Sequence, residues 1–298
     1  MVMITAARHE GTIRVREGRR LGIAEFGPPD GERAVIWFHG TPGARRQIPE
    51  EARRIAADDG IRIVGIDRPG VGLSTAHLYG QLVELVPDVE IVADRLGLER
   101  FSVIGLSGGG PYALATAVRL GERVPSVGIL GGVVPTHGPD AMGGGLVSVA
   151  TRFAPVLPIV REPLGAALTV MVRAVKPIGP LALKAYARVS PEGDREILEI
   201  PEIGTMFLDD LSTSGGRSMK ACLYDAILFT REWGFSARDV QQPVTWIHGD
   251  ADHIVPLSHA HKLVPVIPHA ELRVRPGAAH LGGLGAAREV LDAVLSAW

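Results

Sequence analysis

The sequence has one cysteine, Cys222, among 298 residues, so an internal disulfide is excluded. Its apolar neighbours make it a small packing residue, and the chain suits a reducing compartment. No uninterrupted run reaches about 18 apolar residues, which argues against a membrane-crossing helix. Nor do Met1 to Gly11 contain a basic segment followed by an apolar run, so no secretory leader is expected. Charge of one sign is lacking too: 31 basic residues face 33 acidic ones, for a net charge of -2. With the two signs mixed along the sequence, this balance gives no electrostatic footprint for nucleic acid. No solenoid repeat or low-complexity run appears. These absences leave a cytoplasmic globular protein, monomer or homodimer, that handles small molecules.

Glycine is abundant, with 37 residues, and 46% of the chain is hydrophobic. The most informative glycines flank Ser107, in Gly105-Leu106-Ser107-Gly108-Gly109. Phe101, Val103 and Ile104 read as a buried strand before it, and Pro111 opens an apolar helix after it. A serine between strand and helix in the pattern Gly-x-Ser-x-Gly is held on a strained, outward-pointing turn, because the glycines let the two elements approach closely.

The remaining chain follows one rhythm. Residues 12–16 and 21–26 alternate apolar and polar around Glu17-Gly18, which predicts an antiparallel hairpin. Strands are then expected at 34–38, 61–66, 101–106 and 127–135, with helices at 47–58, 81–96 and 111–117. Residues 136–235 break this rhythm: helical segments at 141–154, 163–176, 180–189, 192–199 and 217–232 follow without strands, punctuated by prolines such as Pro201. Strands resume at 244–247 and 270–274, with helices at 258–264 and 286–297. Strands joined by helical crossovers imply an α/β fold, a mostly parallel eight-stranded sheet with helices on both faces. The expected division is a core of residues 1–135 and 236–298 and a helical insertion of residues 136–235.

Ligands bind such sheets at the carboxyl ends of the strands, where Ser107 falls. A serine hydroxyl needs a neighbouring base, and the base needs an orienting acid. The loops after the seventh and eighth strands carry both: His248-Gly249-Asp250-Ala251-Asp252-His253 and Pro276-Gly277-Ala278-Ala279-His280. The chain order serine, acid, histidine is that of the elbow fold. With His39-Gly40-Thr41-Pro42-Gly43 and Asp67-Arg68-Pro69-Gly70-Val71-Gly72, these motifs resemble those of α/β-hydrolases with a helical cap.

The resemblance implies that Ser107 is the nucleophile, His280 the general base and then acid, and Asp252 the carboxylate that orients the histidine. It also implies an oxyanion hole formed by the backbone N–H groups of Thr41 and Gly108, so that substitution at Thr41 acts through loop shape and not through its hydroxyl. No cofactor or metal is implied. Asp250 is the rival acid, and bracing of the loop is its expected part. His39 and His248 are expected to pack and hydrogen-bond, while His253, His259, His261 and His269 are expected at the surface. His248, Asp250, Asp252 and His253 could suggest a metal site, but all four serve one loop. Asp67-Arg68 reads as a structural turn, and Arg68 could face the pocket. Two features depart from the family pattern: Ala278-Ala279 stands before His280, and Gly110 is expected to loosen the start of the helix.

A serine in place of the aspartate of dehalogenases and epoxide hydrolases disfavours those activities and leaves acyl chemistry. Tyr186 and Tyr224 then become packing residues. The reading is ester hydrolysis of a small apolar substrate. Aminopeptidase or amidase, C–C bond hydrolase and perhydrolase chemistries share the triad, and a non-catalytic ligand-binding protein is the alternative of another class. The apolar residues among 146–175, including Leu146, Val147, Val149, Phe153, Val156, Ile159, Leu164, Val170, Met171 and Val172, are expected to pack the cap onto the core. They could instead line an acyl tunnel, with membrane-surface contact as a further possibility.

Overall fold

The central strands of this chain are apolar on both faces, as a sheet sandwiched between helices requires. A computed structural model describes residues 2–145 and 151–298. It forms an eight-stranded sheet in the order β1-β2-β4-β3-β5-β6-β7-β8. The hairpin β1 (His9–Arg14) and β2 (Arg20–Phe26) is antiparallel and supplies one edge. The pairings from β4 (Ile61–Ile66) and β3 (Arg33–Phe38) through β5 (Ser102–Leu106), β6 (Val127–Leu130) and β7 (Val244–Gly249) to β8 (Ala270–Arg275) are all parallel. Every parallel strand therefore ends on the same rim.

Alternate side chains enter opposite cores, as the period of two demands. Ile36 and Phe38 pack with α2 (Val86–Arg95) and α3 (Gly110–Leu120), whereas Val35 and Trp37 pack with α1 (Glu50–Asp58).

The predicted strand 127–135 stops at Leu130. Gly131 takes a positive φ of 56°, and Gly132 lies against the Trp246 ring, so the chain turns there instead of extending. Gly110 does not loosen the helix either. It is helical, with φ -54° and ψ -52°, and a Cβ there would stand 3.1 Å from Gly132 Cα, so the missing side chain permits a close approach.

After β6 the described residues hold the helices α4 (Leu157–Val175), α5 (Gly179–Val189), α6 (Glu192–Glu199), α7 (Pro201–Asp210) and α8 (Lys220–Phe229), with no strand among them. Helix α7 is absent from the sequence reading, because Pro201 marks its first turn instead of a break. Its Ile203 and Met206 join the core beneath α1. Of the predicted helix at 141–154, residues 141–144 are irregular, 151–153 are helical, and 146–150 lie outside the described residues, with Leu146, Val147 and Val149. The chain closes with α9 (Leu257–Leu263) and α10 (Ala287–Leu295).

Candidate active site

Ser107 begins the tight turn between β5 and α3 with φ +50°, a conformation costly for a residue with a side chain. Two glycines make the turn possible. A Cβ on Gly109 would fall on the Phe38 carbonyl oxygen, and one on Gly105 would approach the Gly109 oxygen to 2.6 Å. Strand, turn and helix are thus packed too closely for any other residue, and the Ser107 hydroxyl is pushed out at the rim, where the residue stays partly exposed.

The three residues expected from the loops meet there. The Ser107 hydroxyl lies 2.8 Å from His280 Nε2, and His280 Nδ1 lies 2.7 Å from Asp252 Oδ2. With a carboxylate on Nδ1, the ring proton belongs on that nitrogen, so Nε2 is free to accept from the serine. Asp252 also accepts the backbone N–H groups of Ile254 and Val255. Burial alone would raise its carboxyl, but hydrogen bonds from His248, His280 and Val255 outweigh it and hold the group well below the usual carboxylate range. Asp252 therefore stays anionic beside the imidazole.

Behind Asp252 stands His248, which is buried. The Trp246 indole N–H donates to its Nδ1 at 3.1 Å, which leaves the proton on Nε2. That N–H points at the Val255 carbonyl, 2.8 Å away, with Asp252 Oδ2 at 3.3 Å. Asp250 accepts from the Gly277 N–H at 2.7 Å, tying the β7 loop to the β8 loop that carries His280. His253 is exposed, so these four residues do not converge on a common point.

Thr41 and Gly108 lie side by side, since a Cβ on Gly108 would collide with the Thr41 side chain. Among the described residues neither backbone N–H has a protein acceptor. Gly108 also sits at the amino end of α3, where the helix dipole favours negative charge.

The loop carrying Thr41 is held from several sides. Gln47 Oε1 accepts the Gly40 N–H at 2.6 Å, and its Nε2 donates to the Pro42 carbonyl. Arg68, buried beneath the loop, donates to the carbonyls of His39 and Gly40 and to Thr41 Oγ1. Its guanidinium also stacks 5.0 Å above the Tyr112 ring and pairs with Asp225 at 2.7 Å.

Asp225, which the sequence reading did not single out, anchors this loop from the insertion. From α8 it accepts from Arg68, from the Thr41 hydroxyl at 2.6 Å and from the Tyr112 hydroxyl at 2.8 Å. The Thr41 hydroxyl is therefore one of the bonds that shape the loop, contrary to the expectation that it is dispensable. Asp210, at the end of α7, adds a second carboxylate by accepting the N–H groups of Ala44 and Arg46. Burial, reinforced by the nearby Asp67 charge, pushes Asp210 up to about 7.

His39 makes hydrogen bonds through both ring nitrogens, and its burial lowers its pKa well below the ordinary value. His261 and His269 are exposed as expected. His259 is not: it is buried, with Nε2 bonded to the Gly143 carbonyl at 2.9 Å. Tyr224 packs in the interior and donates to Glu162, whereas Tyr186 is half exposed and packs little. Cys222 lies on α8, and burial pushes its thiol up to about 12.

The apolar stretch departs most from expectation. Phe153, Val156, Ile159, Leu164, Val170 and Met171 are exposed, and Val172 is among the few residues that turn inward. Val172 does pack the insertion onto the core, in one apolar cluster with Ala44 and Val71 and with Leu168 against it, while the exposed residues face outward.

Residues 33–154 match the pattern of the alpha/beta hydrolase fold family. A proline iminopeptidase of Neisseria meningitidis is 36% identical over 126 residues, 41% of this chain and 40% of that protein. The chain thus spans well under half the length of such relatives. A 2-hydroxy-6-oxononadienedioate/2-hydroxy-6-oxononatrienedioate hydrolase of Pseudomonas sp. is 28% identical over 284 residues, covering 92% of this chain and 91% of that one. Among solved structures, a thermophilic esterase from Thermogutta terrifontis superposes with a TM-score of 0.68 at 19% identity, over 97% of each chain.

Proposed function

Taking as premise that this chain has the α/β-hydrolase fold, we propose that it is a cytoplasmic serine hydrolase that cleaves an ester of a small apolar substrate through Ser107, His280 and Asp252. The observation that carries this reading is the 2.8 Å contact between the Ser107 hydroxyl and His280 Nε2, on a serine held at φ +50°. In the proposed reaction His280 Nε2 takes the Ser107 proton as Oγ attacks the ester carbonyl carbon, and Asp252 stabilises the imidazolium that forms. The oxyanion is received by the N–H groups of Thr41 and Gly108. Collapse breaks the ester bond, and the proton on His280 passes to the departing alkoxide. Water, deprotonated in turn by His280, attacks the acyl carbon, the bond to Ser107 Oγ breaks, and His280 returns the proton to Ser107 as the acid leaves.

Phe229 supports an apolar acyl group, because its ring lies within about van der Waals reach of Gly108. In this reading residues 136–235 act as the cap. A second reading is C–C bond hydrolysis by the same triad, favoured by the end-to-end match to the Pseudomonas hydrolase. Turnover of p-nitrophenyl esters of increasing chain length, alongside a vinylogous 1,5-diketone and a proline anilide, tests the proposal. Hydrolysis of short and medium esters that disappears in Ser107→Ala is expected. Cleavage of only the diketone would favour the second reading, and no turnover of any substrate by the folded protein would favour a binding protein.

A further inference from the structure

Helix α4 has two apolar faces, and among the described residues only one is buried. Gly165, Thr169 and Val172 turn inward, where the Met219 N–H donates to Thr169 Oγ1 at 2.9 Å and Gly165 meets Lys220 of α8. At 100° per residue, Ile159, Ala167, Val170 and Ala174 fall on the opposite side, and all four are exposed. The apolar surface continues through the turn, where Ile178 is 54% exposed, into α5, where Leu181 and Val189 are 66% and 81% exposed. Leu157–Val189 is long and apolar enough to cross a membrane, yet its most apolar window is only 17% buried in the protein. Exposed apolar surface on this scale marks an interaction site.

The charge in this region has one sign. Between residues 151 and 190 the basic residues are Arg152, Arg161, Arg173, Lys176, Lys184 and Arg188, and the acidic one is Glu162, in a chain whose overall charge is -2. Lys184 and Arg188 follow Leu181 at spacings of three and seven, so they share its exposed side. Glu192, Glu196 and Glu199 belong to α6, which packs back against the histidine loop.

We propose that the outer faces of α4 and α5 form a docking surface for an anionic lipid bilayer. Because its inner face is fixed to α8, α4 lies in the plane of the interface instead of crossing it, with Ile159 and Val170 immersed among the acyl chains. The basic side chains meet the headgroups, as in surface-bound amphipathic helices. A second copy of the chain fits the patch less well, since a two-fold contact would set this positive charge against itself. The docked helix packs on α8, which carries Asp225 and Phe229 to the serine site. A substrate dissolved in the bilayer would therefore arrive one helix away.

Flotation of the full-length protein with extruded vesicles tests this, and it reads binding without turnover, so it holds whether or not the hydrolase reading does. Vesicles of phosphatidylcholine mixed with phosphatidylglycerol should bind the protein at least about tenfold more tightly than phosphatidylcholine alone, and added salt should weaken that binding. Ile159→Glu/Val170→Glu and Lys184→Glu/Arg188→Glu should each lose at least about tenfold in affinity while keeping the wild-type melting temperature and circular dichroism. The proposal is overturned if the wild type does not float, or if both variants float as it does. It is equally overturned if light scattering shows a wild-type dimer that Ile159→Glu/Val170→Glu turns into monomer.

Discussion

The backbone N–H of Leu281, the residue next to His280, donates to Asp194 Oδ1 at 2.6 Å. Asp194 lies on α6, so the loop that presents His280 is fastened to a helix of the insertion. Asp225 and Asp210 do the same for the loop that presents Thr41. The insertion thus braces the loops around Ser107, and three buried carboxylates carry the load.

Asp194→Ala leaves the Leu281 N–H without an acceptor in a partly buried setting, a cost of about 1–3 kcal/mol. The expected outcome is a melting temperature several degrees lower and a kcat reduced about tenfold, with KM little changed, since a displaced base slows chemistry more than binding. Asp194→Asn keeps an acceptor and should recover most of the loss. Steady-state ester kinetics on both variants checks this.

Asp225→Ala strands the Arg68 guanidinium, which is buried and has Asp225 as its carboxylate partner. Removing one member of such a pair costs about 3–5 kcal/mol, which urea unfolding at neutral pH would register. Thr41→Val keeps the shape of the side chain but deletes its bonds to Asp225 and Arg68. It should cost about 1–2 kcal/mol of stability and about tenfold or more in kcat.

In the proposed reaction His248 acts through Asp252, 3.3 Å from its Nε2, and touches no reacting atom. His248→Phe leaves the Val255 carbonyl without its donor and lets the Asp252 carboxylate shift. A fall in kcat of about tenfold to a hundredfold at unchanged KM is expected. Partial rescue by His248→Gln, which restores a donor, separates positioning from simple packing.

Asp210 gives the stability a pH dependence. Burial raises its carboxyl from 3.8 in the unfolded chain to about 7 in the folded protein, so between those values the folded state binds the proton more strongly. Stability from this group is therefore fully present below about 4 and is lost as pH rises to about 7. Asp210→Asn cannot titrate, so its stability relative to wild type should increase by a few kcal/mol from pH 4 to pH 8. A difference in unfolding free energy that is flat across this range would contradict the assignment.

The sheet and the Ser107, Asp252 and His280 positions were legible because each depends on local grammar: a buried strand, a glycine-flanked turn and a loop at a known strand end. The carboxylates of the insertion were not. Asp225 meets Arg68 across 157 residues of sequence, and nothing near Asp225 in the chain signals a buried partner. His259 misled for a similar reason, since its acceptor is the carbonyl of Gly143, far away in the chain. The exposed face of α4 misled in the opposite way: its apolar residues read as core, and only the fold shows that, among the described residues, Ile159, Ala167, Val170 and Ala174 on one side of the helix stay exposed.

The most direct test of the central claim is labelling with a fluorophosphonate probe, read by intact mass and peptide mapping. One phosphonyl adduct on Ser107 in the wild type is expected, none in Ser107→Ala, and a labelling rate at least about a thousandfold lower in His280→Ala. An adduct on another residue, or equal labelling of His280→Ala and wild type, would contradict it.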